Sequence, residues 1–253
     1  MDIVNLRRIS VKTGIPQAII EKDYVLSVIL NEISKTPVKN SIIFKGGTAI
    51  KKIYFEEARF SEDLDFTVLN LEKMQIIQEL GSLFKNKEIE GISFGEIKEE
   101  KTSAGLKLSL KYSSVLNHPQ RIKFDFSFRA NLILNPVENQ IIDSYRLGNN
   151  TIKVLCLEEL FAEKMHAIMS RVVPRDLYDV WFLLGKKAKV DSAIVQKKFA
   201  YYNEHFELQK LKLKIDDFKI KWHQDLRQLL SNVPEFGVVS KEVLDGLENL
   251  GIE

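Results

Sequence analysis

The chain has 253 residues, of which 45% are hydrophobic and 28% are charged. This length suits one core or two smaller ones, and the composition excludes disordered and fibrous classes. No apolar run approaches the ~18 residues of a membrane span, and the first ten residues lack an apolar signal core, so we expect a cytoplasmic protein with no membrane partner. The formal net charge of +2 neither favours nor excludes a nucleic-acid partner.

Helical and strand patterns alternate through the first part of the chain. A helical stripe over residues 16–35 precedes a short strand over 41–45, which runs into Gly46-Gly47. The patterns that follow predict a helix over 48–55, a strand over 64–68, a helix over 71–87 and strands over 92–97, 106–112 and 121–128, with a weaker pair through Ile141 and Ile152. This order predicts an α+β fold, a mixed sheet with flanking helices.

From residue 157 onward the pattern is helical. The predicted helices cover residues 157–170, 174–186, 191–203, 208–230 and 240–250. We therefore predict two domains, a mixed lobe over residues 1–155 and a helical lobe over residues 156–253. Between Lys186 and Arg227, eleven Lys or Arg stand against six Asp or Glu, with aromatic residues between them. This stretch is either a phosphate-contacting face or a solvated helical surface.

Two acids alternate along the strand pattern that follows the glycine turn. In Asp63-Leu64-Asp65-Phe66 both carboxylates point to one face of the strand, and the apolar side chains point to the other. Neighbouring carboxylates repel each other unless a cation lies between them, and Mg²⁺ prefers oxygen ligands. We therefore predict a divalent-metal site for Mg²⁺ or Mn²⁺ at Asp63 and Asp65. The alternative is a pair of solvent-facing positions on an edge strand.

A third acid lies on a later strand pattern. In Lys123-Phe124-Asp125-Phe126-Ser127 the alternation places Asp125 on the polar face. If this strand pairs beside the first, Asp125 completes a three-carboxylate cluster for two metals about 3.5–4 Å apart. Asp125 would then be the general base, or would hold the metal that lowers the pKa of the attacking hydroxyl.

The segment Gly46-Gly47-Thr48 lies between a predicted strand and a predicted helix. Glycines let a backbone come close to phosphates, and the N–H groups of a first helical turn attract anions. Thr48 would add a hydroxyl donor. Alone, the segment is weak evidence and fits a tight strand–helix connection better. Because the acid pair follows at short range, the combination predicts a nucleoside-triphosphate (NTP) site.

Two lysines lie on the apolar stripes of predicted helices. Lys22 interrupts the stripe of the helix over 16–35, and Lys164 lies at the centre of the stripe of the helix over 157–170. Either side chain could run along apolar surface and keep its charge in water. Because two such lysines accompany the predicted triphosphate site, we predict that both bind phosphate in an NTP site formed by both lobes.

A further acid opens the next helix. Asp176 near that N-terminus either favours the helix dipole or orients a basic residue. Arg171 and Arg175 would hold phosphate or the nucleic-acid acceptor, because the planar guanidinium suits both tasks.

Three segments together resemble the AbiEii/AbiGii toxin family of nucleotidyltransferases. They are Phe44 to Lys52 (FKGGTAIKK), Arg59 to Phe66 (RFSEDLDF), and the residues Glu158-Glu159-Leu160 through Glu163-Lys164 to Arg175-Asp176-Leu177-Tyr178-Asp179. Glu21-Lys22-Asp23-Tyr24 resembles the N-terminal helix of the family. The resemblance covers roughly residues 15–185.

This resemblance implies a DNA polymerase β-like nucleotidyltransferase fold with a helical C-terminal part. It also implies the toxin of a bacterial abortive-infection or type IV toxin–antitoxin pair, with a cognate antitoxin as a partner. Related toxins add nucleotides to the 3′ acceptor end of tRNA, and others are known mainly as binding GTP. By position, Asp63 and Asp65 would hold metal with Asp125 as the third acid, Lys164 would contact the triphosphate, and Asp176 would belong to the last motif. Lys51 and Ser61 lie inside the matching segments and are further nucleotide-binding candidates.

The activity predicted from the sequence is Mg²⁺-dependent transfer of a nucleoside monophosphate from an NTP to an acceptor hydroxyl, with the 3′ end of tRNA as the expected acceptor. Two alternatives use the same residues. One is a non-catalytic module that binds NTP without turnover, and the other is a metal-dependent nuclease or phosphohydrolase.

Overall fold

The computed structural model describes residues 1–129, 131–186 and 191–252. The chain divides into two compact units, Met1–Ala130 with Pro136–Leu155, and Asn131–Asn135 with Cys156–Glu253. The sequence-based division placed residues 131–135 in the first lobe, whereas the structure groups them with the second unit. The reason is a buried acid, because the Glu159 carboxylate accepts hydrogen bonds from the backbone N–H groups of Ile133 and Leu134, both at 2.9 Å.

The first unit combines one sheet with helices. Its helices are α1 (Ile3–Thr13), α2 (Gln17–Ser34), α3 (Gly46–Ala49) and α4 (Lys73–Phe84), with a 3-10 helix over Pro37–Asn40 and a π-helical turn over Ile50–Tyr54. Its strands are β1 (Ile42–Lys45), β2 (Asp63–Val68), β3 (Glu88–Ile89), β4 (Ile92–Glu100), β5 (Leu106–Ser113), β6 (Gln120–Ser127), β7 (Val137–Gln140) and β8 (Thr151–Val154). The single helix predicted over 48–55 is thus wrong in part, since α3 passes into a π-helical turn.

Helix α1 and strand β3 were not predicted. The side chain of Asp2 caps α1 by accepting from the backbone N–H of Asn5 at 2.8 Å, and Gly14 ends the helix with a φ of 70°. Only Leu6 of α1 is buried, so the helix lacks the broad apolar stripe on which sequence patterns depend. β3 has two residues, too few to show an alternation.

Among the described residues, eight strands form one mixed sheet in the order β3-β4-β5-β6-β2-β1-β8-β7. The β1–β8 and β2–β6 pairs are parallel, and the other neighbours are antiparallel. The order brings β2 beside β6, although β3, β4 and β5 separate these two strands along the chain. The two acidic strands of the sequence are therefore neighbours.

One face of this sheet is covered by a phenylalanine core. The rings of Phe44, Phe66, Phe124 and Phe126 are all buried, and neighbouring rings lie 5.3–6.0 Å apart between centroids. These residues alternate with polar ones along their strands, so the polar residues emerge on the opposite face. The core therefore dictates which face of β2 and β6 carries the acids.

The second unit is helical. Its elements are α5 (Leu157–Ser170), α6 (Pro174–Gly185), α7 (Ser192–Tyr201), α8 (Leu208–Lys214), a 3-10 helix over Ile215–Lys221, α9 (Trp222–Leu226) and α10 (Phe236–Asn249). The long helix predicted over 208–230 is wrong, because the chain changes to 3-10 geometry where Asp216 and Asp217 follow one another, and Asp is a weak helix former in helix interiors. Among the residues described, no helix has the length and apolar character that crossing a bilayer requires.

A buried ion pair lies within the second unit. The Nζ atom of Lys198 is 2.6 Å from the Glu159 carboxylate and donates to the carbonyl of Asn131 at 2.7 Å. Both ionic side chains are almost fully buried. Together they tie α5 and α7 to residues 131–135, so the charges of both residues are used inside the unit.

Candidate active site

The Gly46-Gly47 turn lies directly against the acid pair. Gly46 follows β1 with a φ of 78°, a left-handed value that L side chains rarely adopt. A Cβ atom on Gly46 would overlap the Oδ2 atom of Asp65. Glycine is therefore required at this position for two reasons, backbone conformation and the closeness of the carboxylate.

Gly47 is required for a different neighbour. A Cβ atom there would lie 2.6 Å from the Nη2 atom of Arg59 and 3.4 Å from the Oγ atom of Ser61. Arg59 is buried, and its Nη1 atom donates to the carbonyl of Phe60 at 3.0 Å. Arg59 was not predicted as a site residue. The available signal was an arginine four residues before Asp63, inside the segment that carries the acids.

The three predicted acids emerge on one face of the sheet. In the parallel β2–β6 pair, Asp65 lies opposite Asp125 and Asp63 lies opposite Lys123. Residues directly opposite each other on neighbouring strands project from the same face. The pairing required for a contribution from Asp125 is thus present, and all three acids are partly exposed.

Asp125 has a basic neighbour on its other side. Its Oδ2 atom lies 3.2 Å from the Nζ atom of Lys107 on β5. Within the described ranges, no three Asp, Glu, His or Cys side chains converge as a group that could hold a metal ion. The three-carboxylate cluster therefore stays a prediction.

Asp63 and Asp65 suit a divalent metal without a third acid. Mg²⁺ is usually held by one or two carboxylates, and substrate phosphates and water fill its other positions. The Asp65 carboxylate occupies the space beside the Gly46 backbone that a side chain would otherwise fill. An oxygen-only pair next to a glycine turn fits a hard cation such as Mg²⁺ or Mn²⁺.

Two predicted nucleotide-binding residues have structural partners in this protein. The buried hydroxyl of Thr48 donates to the backbone carbonyl of Asp63 at 2.5 Å, which ties α3 to the start of β2. The buried Nζ atom of Lys51 donates to the carbonyls of Glu56 and Ala58 at 2.7 and 3.1 Å. Desolvation lowers the pKa of Lys51. Both residues shape the loop between α3 and β2, and neither presents its polar group to solvent.

Lys22 has an acidic neighbour as well. Its Nζ atom lies 3.1 Å from Glu62, and both side chains are partly exposed. The more deeply buried charges near this helix were not predicted: Lys52 lies 2.7 Å from Asp23, which also accepts from the hydroxyl of Tyr145 at 2.7 Å. The sequence signal for this ion pair was Asp23, an acid within the apolar stripe of α2.

In the second unit, Lys164 lies between two acids. Its Nζ atom is 2.8 Å from Asp176 and 2.7 Å from Asp179, both on α6. The second carboxylate oxygen of Asp176 accepts from the Nε atom of Arg171 at 2.8 Å. The lysine on the apolar stripe therefore belongs to a buried charge network, and a phosphate at Lys164 would compete with two carboxylates.

The pKa of Asp176 reflects these neighbours. Burial alone would raise it, but the positive charges of Lys164 and Arg171 outweigh burial and hold the pKa well below its usual range. Arg175 lies beside Asp176 in the first turn of α6 and is partly exposed. Asp176 thus positions basic side chains, one of the two roles considered for it from the sequence.

Among the described residues, the basic stretch between Lys186 and Arg227 contains both exposed cations and cations with internal partners. Lys187 and Lys189 lie outside the described residues. Four described lysines of the stretch have internal partners: Lys198 with Glu159, Lys210 with Glu207, Lys212 with Glu248, and Lys214 with the carbonyl of Met169. Many of the charges counted in this stretch are therefore engaged within the unit.

Comparisons with known proteins identify a matching family. A sequence model of the family described as "Nucleotidyl transferase AbiEii toxin, Type IV TA system" matches residues 28–248. An uncharacterised protein of Aquifex aeolicus (strain VF5) is 26% identical over 225 residues, which covers 87% of this chain and 95% of that protein.

Two solved structures share the fold. MenT4, a nucleotidyltransferase toxin from Mycobacterium tuberculosis H37Rv, has a TM-score of 0.75 and 19% identity, covering 99% of this chain and 90% of that one. A protein from H. pylori described as a candidate nucleotidyltransferase has a TM-score of 0.67 and 17% identity, covering 93% of this chain and 96% of that one. These likenesses confirm the predicted α+β fold class.

Proposed function

Because the chain belongs to the AbiEii family of nucleotidyl transferase toxins of type IV toxin–antitoxin systems, we propose that it transfers a nucleoside monophosphate from an NTP to a hydroxyl at the 3′ end of tRNA. The chain is a nucleotidyltransferase, and enzymes of this kind use an NTP and a divalent metal. The family also implies a cognate antitoxin. We place the reaction in the cytoplasm, where NTPs and tRNA are available together.

One observation carries the proposal. The Gly46 backbone lies against Asp65 where no side chain fits, and Asp63 and Asp125 share the same face of the sheet. A backbone without a side chain allows phosphate to approach closely, and carboxylates supply the ligands that Mg²⁺ prefers. A triphosphate and its metal can thus meet at the end of β2 that carries Asp63 and Asp65.

The residues of the first unit divide the work as follows. Asp63 and Asp65 hold the metal, for which we propose Mg²⁺, and Asp125 is the acid placed to accept the proton of the attacking hydroxyl. A bound divalent metal supplies charge neutralisation at the phosphoryl oxygens. Gly46 and Gly47 let the phosphates approach the backbone. Arg59 and Ser61 lie against Gly47 and hold the turn in place.

Other residues hold elements of the site in place. Thr48 fixes the start of β2 through the Asp63 carbonyl, and Lys51 holds the loop that leads to Asp63. In the second unit, Asp176 holds Lys164 and Arg171. We propose that Lys164 and Arg175 contact substrate phosphate, for which Lys164 must exchange an acidic partner.

The direct test is nucleotide incorporation. The purified protein is incubated with Mg²⁺, total tRNA and each labelled NTP in turn, and labelled tRNA is the expected product. Asp63→Asn and Asp65→Asn should each lower the rate at least about 100-fold, since metal stabilisation of phosphoryl charge is worth several kcal/mol. Glu88→Gln, which removes an exposed carboxylate on β3, is the charge-matched control and should retain full activity.

The acceptor and the alternatives are separated in the same assay. Periodate-treated tRNA, which has lost its 3′-terminal hydroxyls, should take up no label. Equal labelling by the wild type and Asp63→Asn would contradict transfer at this site. Shortened RNA would indicate a nuclease, and Mg²⁺-dependent NTP binding without pyrophosphate release would indicate a binding module.

A further inference from the structure

The polar face of the sheet continues beyond the acids onto β5 and β4. Lys107 lies opposite Asp125, and Ser109 lies between Lys123 on one side and Lys98 on the other. Lys111 lies opposite Arg121. The cations of this surface are Lys98, Lys107, Lys111, Arg121 and Lys123, and we call it the basic face.

The five cations share this surface with five acids, Glu96 and Glu100 on β4 and Asp63, Asp65 and Asp125 at the candidate site, but not every cation is paired. Glu96 lies 3.1 Å from Lys98 and 2.8 Å from Arg121, and Asp125 pairs with Lys107. Lys111 and Lys123 are exposed, and neither forms an ion pair with any residue that the structure describes. Positive charge therefore remains available to a ligand at both of these positions.

The basic face extends well past the acid pair. Neighbouring strands lie about 4.8 Å apart and successive residues rise about 3.3 Å, so Lys98, three strands from Asp63, is about 14 Å from it. Lys111 is about 12 Å from Asp63, because it lies two strands away and two residues along. A metal-bound phosphate lies within a few ångström of the acids, since Mg²⁺–oxygen distances are about 2.0–2.1 Å. A triphosphate on the acids does not account for these two lysines.

We infer that the basic face binds the phosphate backbone of the RNA acceptor and leads its 3′ end to the acids. This inference rests on the proposed function and names the surface that recognises the acceptor. The regularly spaced phosphates of a nucleic-acid backbone match cations that are spread over three strands. The described residues of the basic face include no aromatic side chain, so it contacts backbone and does not stack on bases. Its contribution is therefore independent of RNA sequence.

The test is RNA binding in the absence of NTP. Labelled total tRNA and an oligouridine of similar length are titrated with wild type and with Lys98→Glu/Lys111→Glu between 50 and 200 mM salt. Each lost phosphate contact reduces the slope of log K against log salt by about 0.7–0.9. The double variant should bind both RNAs about tenfold more weakly at the lowest salt, with a slope shallower by about 1.4–1.8.

Two controls isolate the surface. Arg8→Glu/Lys12→Glu makes the same change of net charge on exposed residues of α1 and should bind RNA within about twofold of wild type. Mg²⁺-dependent NTP binding by Lys98→Glu/Lys111→Glu should be unchanged. The neutral variant Lys98→Gln/Lys111→Gln should give an intermediate loss of RNA affinity, and thermal unfolding checks that each variant is folded.

Several results would overturn the inference. They are wild-type RNA affinity in the folded Lys98→Glu/Lys111→Glu protein, an equal loss in the α1 control, a parallel loss of NTP binding, or labelling of an acidic protein in place of RNA. Because binding is measured without NTP, absence of nucleotide transfer would contradict the proposed function and leave the binding result standing.

Discussion

Lysines of the basic face and lysines of the 186–227 stretch differ in what surrounds them. Lys111 and Lys123 stand on neighbouring strands and are exposed without an ion pair among the described residues. Lys198 is buried against Glu159, and Lys210 lies 2.6 Å from Glu207. The stretch with the denser run of lysines in the sequence thus includes a fully buried lysine, which the basic face does not. Charge available to a ligand depends on strand register and burial, and a count along the chain does not reveal it.

The largest expected effect is a loss of stability on replacing Lys198, the buried lysine of the 186–227 stretch. Lys198→Met leaves the carboxylate of Glu159 buried without its cation and should destabilise the protein by about 3–5 kcal/mol. Denaturant unfolding measures the loss. The double variant Lys198→Met/Glu159→Gln removes both charges, keeps an acceptor for the backbone N–H groups of Ile133 and Leu134, and should recover part of the loss. A single variant as stable as the wild type would show that this lysine is not an internal charge.

A second prediction concerns Gly46, where the backbone meets the acid pair. Gly46→Ala strains a left-handed residue by about 1–2 kcal/mol and also displaces the Asp65 carboxylate. A displacement of about 1 Å can cost on the order of 100-fold in rate. Gly91→Ala is the matched control, because Gly91 has a φ of 72° and open space around it. Both variants should lose similar stability, and only Gly46→Ala should lose nucleotide transfer.

A third prediction uses the acid of the buried network. The folded-state pKa of Asp176 is lowered, so its stabilising contribution is present above the unfolded pKa of about 3.9 and is lost as pH falls below that value. Unfolding free energy measured from pH 7 to pH 3 should therefore fall less steeply in Asp176→Asn than in wild type. Asp217→Asn, an exposed change of equal charge, should follow the wild-type curve. Identical curves for wild type and Asp176→Asn would contradict the network.

The smallest expected change in the free energy of unfolding is at Lys210, an exposed lysine of the 186–227 stretch. Lys210 pairs with Glu207 on the surface, and exposed pairs contribute about 0–1 kcal/mol. Lys210→Met should therefore change the free energy of unfolding by less than about 1 kcal/mol in the same denaturant experiment. A loss as large as that of Lys198→Met would remove the distinction between buried and exposed lysines.

Some features of the site followed from local patterns. Alternation along β2 placed Asp63 and Asp65 on one face, because the two-residue period of a strand needs no tertiary information. The apolar stripe of α5 identified Lys164 as misplaced for the same reason. Its partners Asp176 and Asp179 could not be read from that stripe, since they lie on α6 and meet Lys164 only through packing.

The sequence by itself determined the mixed and helical parts of the chain, the alternation of acids and phenylalanines, and the glycine turn before them. These depend on short-range periodicity and backbone conformation. Only the tertiary structure decided that β2 pairs with β6, that Thr48 and Lys51 turn their polar groups to backbone carbonyls, and that lysines from β4 and β5 extend the face of the acids. Pairings between distant segments depend on how the whole core packs, and no local period encodes them.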